Sequence, residues 1–193
     1  MLTIGKLDLD NKLGGCYILA KQQMRILNLE EPETLAEVQG LIISGRSAEK
    51  YRLFLSDAVW AENLQQVFSR RMPIFGLGYG LLLLSEQIGG ENGLGQKGLN
   101  ITVTAEFGRE AQAETGEVLI PAYGGKPLAG IGYANLRIAE VGPNVGILGW
   151  DRGEAVLVRQ GNYLGASFYT DIQQNLEIYD YFFRMVSDYR RYK

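Results

Sequence analysis

Residues 72–87 read M-P-I-F-G-L-G-Y-G-L-L-L-L-S-E-Q. An apolar run is followed by glycines at 76, 78 and 80 and then by four leucines. The pattern predicts a strand at Pro73-Ile74-Phe75, a sharp turn, and a helix over residues 81–88. Two uses of such a turn are physically sound. It can be a nucleophile elbow, G-x-Nuc-x-G, where glycines permit close packing around a strained apex. It can also cradle an anion on backbone N–H groups. The third reading is a tight turn with no chemistry. A dinucleotide fingerprint fails, because the sixth position of G-x-G-x-x-G is Leu81.

The same alternation of strand and helix extends upstream. Residues 2–9 alternate as a first strand, residues 13–22 read as a helix, and residues 24–29 as a second strand. Pro32 opens a short helix over residues 33–38, since proline suits a first helical turn. Leu41-Ile42-Ile43, bounded by Gly40 and Ser44-Gly45, has the fully apolar character of a strand covered on both faces. Residues 48–71 read as a helix in two pieces, broken near Ser56. This order argues for parallel strands joined by right-handed crossovers.

Downstream the character changes. A glycine-rich loop over residues 89–98 precedes successive strand-like runs at 100–104, 118–122, 133–141, 145–150, 155–159 and 162–168. Residues 172–189 form the closing helix, with Asp171 as a natural N-cap. Strands without intervening helices imply an antiparallel portion flanking the parallel sheet. The 193 residues suit a single domain, 1–193, with a full core.

Composition narrows the chemistry. The net charge of −3 gives no electrostatic case for nucleic acid or an anionic membrane. No apolar run reaches the ~18–20 residues of a membrane span. Polar residues interrupt the first ten positions, so no signal peptide is read. One cysteine, Cys16, rules out an intramolecular disulfide, and a cytoplasmic location is expected. There are no histidines. A Cys/His metal site and a Ser-His or Cys-His dyad are therefore excluded, and no metal or cofactor is expected.

The ordered set G-L-I-I-S-G at 40–45, P-I-F-G-L-G-Y-G-L-L-L-L at 73–84, F-G-R at 107–109 and V-R-Q-G-N-Y-L-G-A-S-F at 158–168 resembles the class I glutamine amidotransferases. Among them it is most similar to the glutaminase subunit of pyridoxal phosphate (vitamin B6) synthase. The resemblance implies a flavodoxin-like three-layer α/β sandwich, with a mostly parallel central sheet, helices on both faces and a flanking antiparallel portion. It also implies glutamine hydrolysis by an elbow cysteine with a His–Glu pair, and ammonia delivery to a synthase partner.

The sequence departs from that pattern at each catalytic position. The elbow, F-G-T-C-A-G in the family, places Gly78 where the cysteine belongs. The S-F-H-P-E stretch puts Tyr169 at the histidine and Asp171 at the glutamate. The substrate loop P-G-G-E-S becomes Ser44-Gly45-Arg46-Ser47-Ala48, and L-Q-G becomes Leu9-Asp10-Asn11. The expectation is a pseudoenzyme kept as a binding or regulatory subunit, with a synthase barrel or a second copy as partner. The alternatives are a binder of small anionic metabolites through Gly45, Arg46, Gly78, Tyr79 and Arg109, and an enzyme of different chemistry using Tyr169, Asp171 or Asp10.

Overall fold

The computed structural model describes residues 1–10, 16–89, 91–92, 98–105, 113–121, 127–133, 136–172 and 174–191. Its parallel strands are those that carry the apolar runs. They are β1 (Leu2–Asp8), β3 (Met24–Asn28), β4 (Gly40–Gly45), β5 (Ile74–Gly78) and β14 (Tyr163–Ala166). They lie side by side in the order β3-β1-β4-β5-β14, all parallel. Every residue of β4 and β5 is buried, as a strand covered on both faces must be.

The two faces can be read from alternate residues. Leu41, Ile43 and Ile74 pack with Tyr51 of α1 (Ala48–Leu55) and with Trp60, Leu64 and Val67 of α2 (Ala58–Ser69). Ile42, Phe75 and Leu77 pack instead with Ile178, Tyr179, Phe182 and Val186 of α3 (Leu176–Arg191). Helices on both faces of the central sheet make a three-layer, flavodoxin-like α/β sandwich. Ser47 caps α1 through its hydroxyl, 3.3 Å from the Lys50 N–H, and Asp57 caps α2 through the N–H groups of Val59 and Trp60. The break between the two helices falls at Ser56–Asp57, as the sequence indicates.

The antiparallel portion comprises β8 (Leu99–Ala105), β9 (Ala113–Leu119), β10 (Pro127–Tyr133), β11 (Leu136–Val141), β12 (Gly146–Asp151) and β13 (Glu154–Gln160). Strands β13, β12, β9 and β10 continue the main sheet beyond β14, ending at β15 (Phe168–Tyr169). Strands β11 and β8 pair antiparallel in a second, small sheet, in which β8 also pairs parallel with β6 (Ser85–Ile88) and β6 pairs antiparallel with β7 (Glu91–Asn92). The run at 162–168, read with the antiparallel group, instead returns to the parallel sheet: Leu164 pairs with Phe75 and Ala166 with Leu77.

Several sequence expectations are corrected. The helix expected over 13–22 is a strand where it is described: β2 (Cys16–Leu19) turns back antiparallel onto β3. Its residues Tyr17 and Ile18 favour strands, and Gly14 and Gly15 weaken a helix at its start. The helix expected over 81–88 is a short 3-10 turn, Tyr79–Leu83, that passes directly into β6. Leu81 to Leu84 are all at most 3% exposed, a burial with no helical period. The short helix after Pro32 is likewise a 3-10 turn, Pro32–Ala36. The closing helix starts at Leu176, so Asp171 does not cap it; its carbonyl accepts from the N–H groups of Gln174 and Asn175.

Candidate functional site

The carboxyl ends of β1, β4 and β5 meet at one end of the sheet, where open α/β sheets present their sites. Gly45 and Gly78 are register partners at the ends of β4 and β5, and Asp8 pairs with Ser44. Gly78 ends β5 and precedes the 3-10 turn with φ 56° and ψ −128°. These are angles that essentially only glycine adopts freely. The turn is therefore an elbow in its backbone, and the residue at its apex has no side chain. Two further glycines permit its tightness. A Cβ on Gly80 would lie 2.1 Å from the carbonyl oxygen of Ile43, and one on Gly76 would lie 2.8 Å from the carbonyl oxygen of Gly80.

The loop after β4 is held to the loop after β1. The Leu9 N–H donates to the Ser44 carbonyl at 2.8 Å, and the Arg46 N–H donates to a carboxylate oxygen of Asp10. Burial raises the Asp10 pKa above its ordinary value; hydrogen bonds from the Arg46 and Ser47 backbone oppose the rise, and the nearby Asp8 adds to it. Leu9 packs where a side chain on Gly45 would go, 3.0 Å from that Cβ position. Ser44 is buried, and its hydroxyl has no hydrogen-bond partner among the described residues.

The sequence-derived candidates divide into three groups. Gly45, Arg46, Gly78 and Tyr169 come together: Arg46 follows Gly45, and its guanidinium lies 4.2 Å from the centre of the Tyr169 ring. Such a stack is worth ~0.5–1 kcal/mol at an exposed site. Tyr79 is at the elbow but fully buried in the core. Asp171 follows Tyr169 in a short segment fixed from below. Asn175 donates to the Thr170 hydroxyl and to the Ala129 carbonyl, each at 2.6 Å, and the Tyr179 hydroxyl donates to the Thr170 carbonyl at 2.7 Å. Arg109 lies outside the described residues. Asp10 and Leu9 are what the sequence did not reveal as partners of the Arg46 loop. The Asp10–Arg46 contact spans 36 positions and has no local signal.

Chemically, this end of the sheet offers a glycine apex, a tyrosine covered by an arginine, and a carboxylate occupied by a backbone N–H. Among the described residues no group of three or more Asp, Glu, Cys or His side chains is placed to hold a metal ion.

The architecture is that of the glutamine amidotransferases. A crystal structure of a glutamine amidotransferase superposes with a TM-score of 0.73 at 20% identity, covering 95% of this chain and 98% of the other. The structure of PurLQS from Thermotoga maritima gives a TM-score of 0.60 at 11% identity, with 98% and 99% covered. The chain belongs to the SNO glutamine amidotransferase family, whose model matches residues 10–188. It is similar to the pyridoxal 5'-phosphate synthase subunit PdxT of Bacillus licheniformis, 28% identical over 99% of this chain and 98% of the relative. It is also similar to PdxT of Thermotoga neapolitana, 31% identical over 87% and 90%.

Proposed function

We propose that this member of the family does not hydrolyse glutamine and acts as a binding or regulatory subunit linked to pyridoxal 5'-phosphate synthesis. The observation that carries this reading is Gly78. The elbow keeps its strained backbone angles, yet the apex has no atom that can attack an amide. Two features support it. Tyr169, aligned with the family's histidine, is 8% exposed under the Arg46 guanidinium. A phenol hydroxyl lacks the basic ring nitrogen with which an imidazole takes up a proton. Meanwhile the framework is intact: the central strands are buried throughout, and both helical layers are in place.

The partner that fits the relatives' description as synthase subunits is a synthase of the same type, with a second copy of this chain as the other arrangement. The cell compartment that goes with such a partner is the cytoplasm; among the described residues no helix is long and apolar enough to cross a membrane. The test is co-expression with a pyridoxal 5'-phosphate synthase barrel subunit, followed by affinity capture and size-exclusion chromatography. Stoichiometric co-elution supports the subunit role, and elution of two separate species contradicts it.

The anion-binding reading rests on the exposed Arg46 beside Gly45 and Gly78. A stack on the Tyr169 ring engages the face of the guanidinium, and an anion there would be met by the N–H groups in its plane. A thermal-shift screen with carboxylate and phosphate metabolites decides it, because a ligand that binds the folded state raises its stability.

A further inference from the structure

The opposite end of the sheet gathers two arginine pairs that are 120 positions apart in the chain. Arg70 is the C-cap of α2 and Arg71 follows it, and Arg190 and Arg191 end α3. The Tyr189 hydroxyl donates to the Arg70 carbonyl at 2.7 Å, and the Asn162 side-chain amide donates to the Arg71 carbonyl at 2.8 Å. Both arginines of the first pair are thus fixed through their backbones, while all four side chains are exposed. Of these four arginines only Arg191 has an ion pair among the described residues, at 3.9 Å to Asp188, a distance at which an exposed pair is weak. Arg71 has φ 53°, in the left-handed region where glycine or asparagine costs less.

Beside these groups opens a cleft of about 500 Å³, lined by Phe68, Ser69, Arg71, Gln160, Asn162 and Tyr163. Its floor is partly aromatic: the Phe68 and Tyr163 rings lie 5.9 Å apart. A cleft at the carboxyl end of the sheet, on the side of α1 and α2, has the reverse charge. It holds about 370 Å³ and is lined by Asp8, Asp10, Glu30 and Asp57 against the single Lys50. Among the described residues the two clefts therefore carry opposite charge.

We propose that the arginine face is a docking surface for an acidic segment of a partner protein. This goes beyond the subunit role, since it lies at the end of the sheet away from the elbow. Guanidinium groups match carboxylates in geometry and are less strongly hydrated than ammonium groups, which suits an interface. The cleft beside them takes an apolar or aromatic side chain between carboxylates. A nucleic acid fits less well, because the acidic remainder of the surface opposes a long uniform polyanion.

The test is fluorescence anisotropy of the full chain with two labelled probes, a twelve-residue peptide alternating glutamate with tyrosine and leucine, and a twelve-nucleotide single-stranded DNA. The proposal expects saturable binding of the peptide that weakens with salt. It expects a loss of about tenfold in affinity in Arg71→Glu/Arg191→Glu, which removes two cations from the face and puts two carboxylates in their place. Lys50→Glu, at the other end of the sheet, should bind as the parent does. All four arginine side chains are exposed, so circular dichroism and thermal melting should show the variants folded. Equal peptide affinity in the double variant, absence of peptide binding to the parent, or tighter binding of the DNA would each overturn it. So would a concentration-dependent mass increase abolished by the same double substitution, which would make a second copy of this chain the occupant.

Discussion

Replacing Gly78 with alanine tests the elbow directly. At φ 56° and ψ −128° an L-residue sits in a sparsely populated region, which costs about 1–3 kcal/mol. Alanine also stiffens the unfolded chain, which returns about 0.4–1 kcal/mol. The net expectation is a loss of roughly 1–2 kcal/mol, or about 2–8 °C in melting temperature for a chain of this size. The comparison variant is Gly161→Ala. Gly161 has the same φ of 56°, and nothing lies within 4 Å of its Cβ position, so only backbone strain is introduced there. Gly78 is buried, so its substitution should cost at least as much. Urea denaturation of parent and both variants measures this, with midpoints compared at equal slope. A Gly78→Ala protein as stable as the parent would refute the strained apex, and with it the reading of this turn as an elbow that has lost its nucleophile. Gly78→Cys should be destabilised similarly and should gain no glutamine turnover, since Tyr169 is no replacement for the missing base.

Two other substitutions probe the surroundings of the elbow. Gly80→Ala places a Cβ 2.1 Å from the Ile43 carbonyl oxygen, a backbone atom within the sheet that cannot swing aside. A loss of about 3 kcal/mol or more, or failure to accumulate as soluble protein, is expected, and a denaturation midpoint near the parent's would contradict the geometry. The third prediction concerns pH. Asp10 has a folded-state pKa above its ordinary 3.8, chiefly because of burial. The folded protein therefore holds this proton more tightly than the unfolded chain does, and stability falls as pH rises from about 3.8 through the raised value. Asp10→Asn, which keeps an acceptor for the Arg46 N–H, should flatten that part of the pH profile and leave the protein at least as stable at neutral pH. Denaturation midpoints across the acid range check it, and an unchanged slope would count against the assignment.

Much of the central sheet is legible in the sequence, for a physical reason. Leu41-Ile42-Ile43 and Ile74-Phe75 are too apolar to be anything but covered strands, and the break read near Ser56 falls where Asp57 caps the second helix. The failures come where the local signal is ambiguous. Residues 16–19 are short and apolar, and pairing with β3, with Tyr17 opposite Ile26, decides in favour of a strand. The four leucines at 81–84 suit a helix by propensity. Their complete burial instead follows from packing beneath the elbow and against β8, where Leu99 N–H meets the Leu84 carbonyl at 2.7 Å. At the candidate site the sequence singles out Gly78, Tyr169 and Asp171 through the family resemblance alone, and the loss of chemistry there belongs to the proposed function. The contacts around these positions were not readable. The Arg46–Tyr169 stack, the Asp10–Arg46 link and the meeting of Arg70 with Tyr189 all join residues far apart in the chain.

The central claim is that this glutaminase-type fold carries no glutaminase chemistry. The most direct measurement is glutamate release from glutamine by the purified chain, alone and with a pyridoxal 5'-phosphate synthase barrel subunit present. The account predicts release indistinguishable from the protein-free blank in both cases. Turnover above the blank that persists in Cys16→Ala would contradict it.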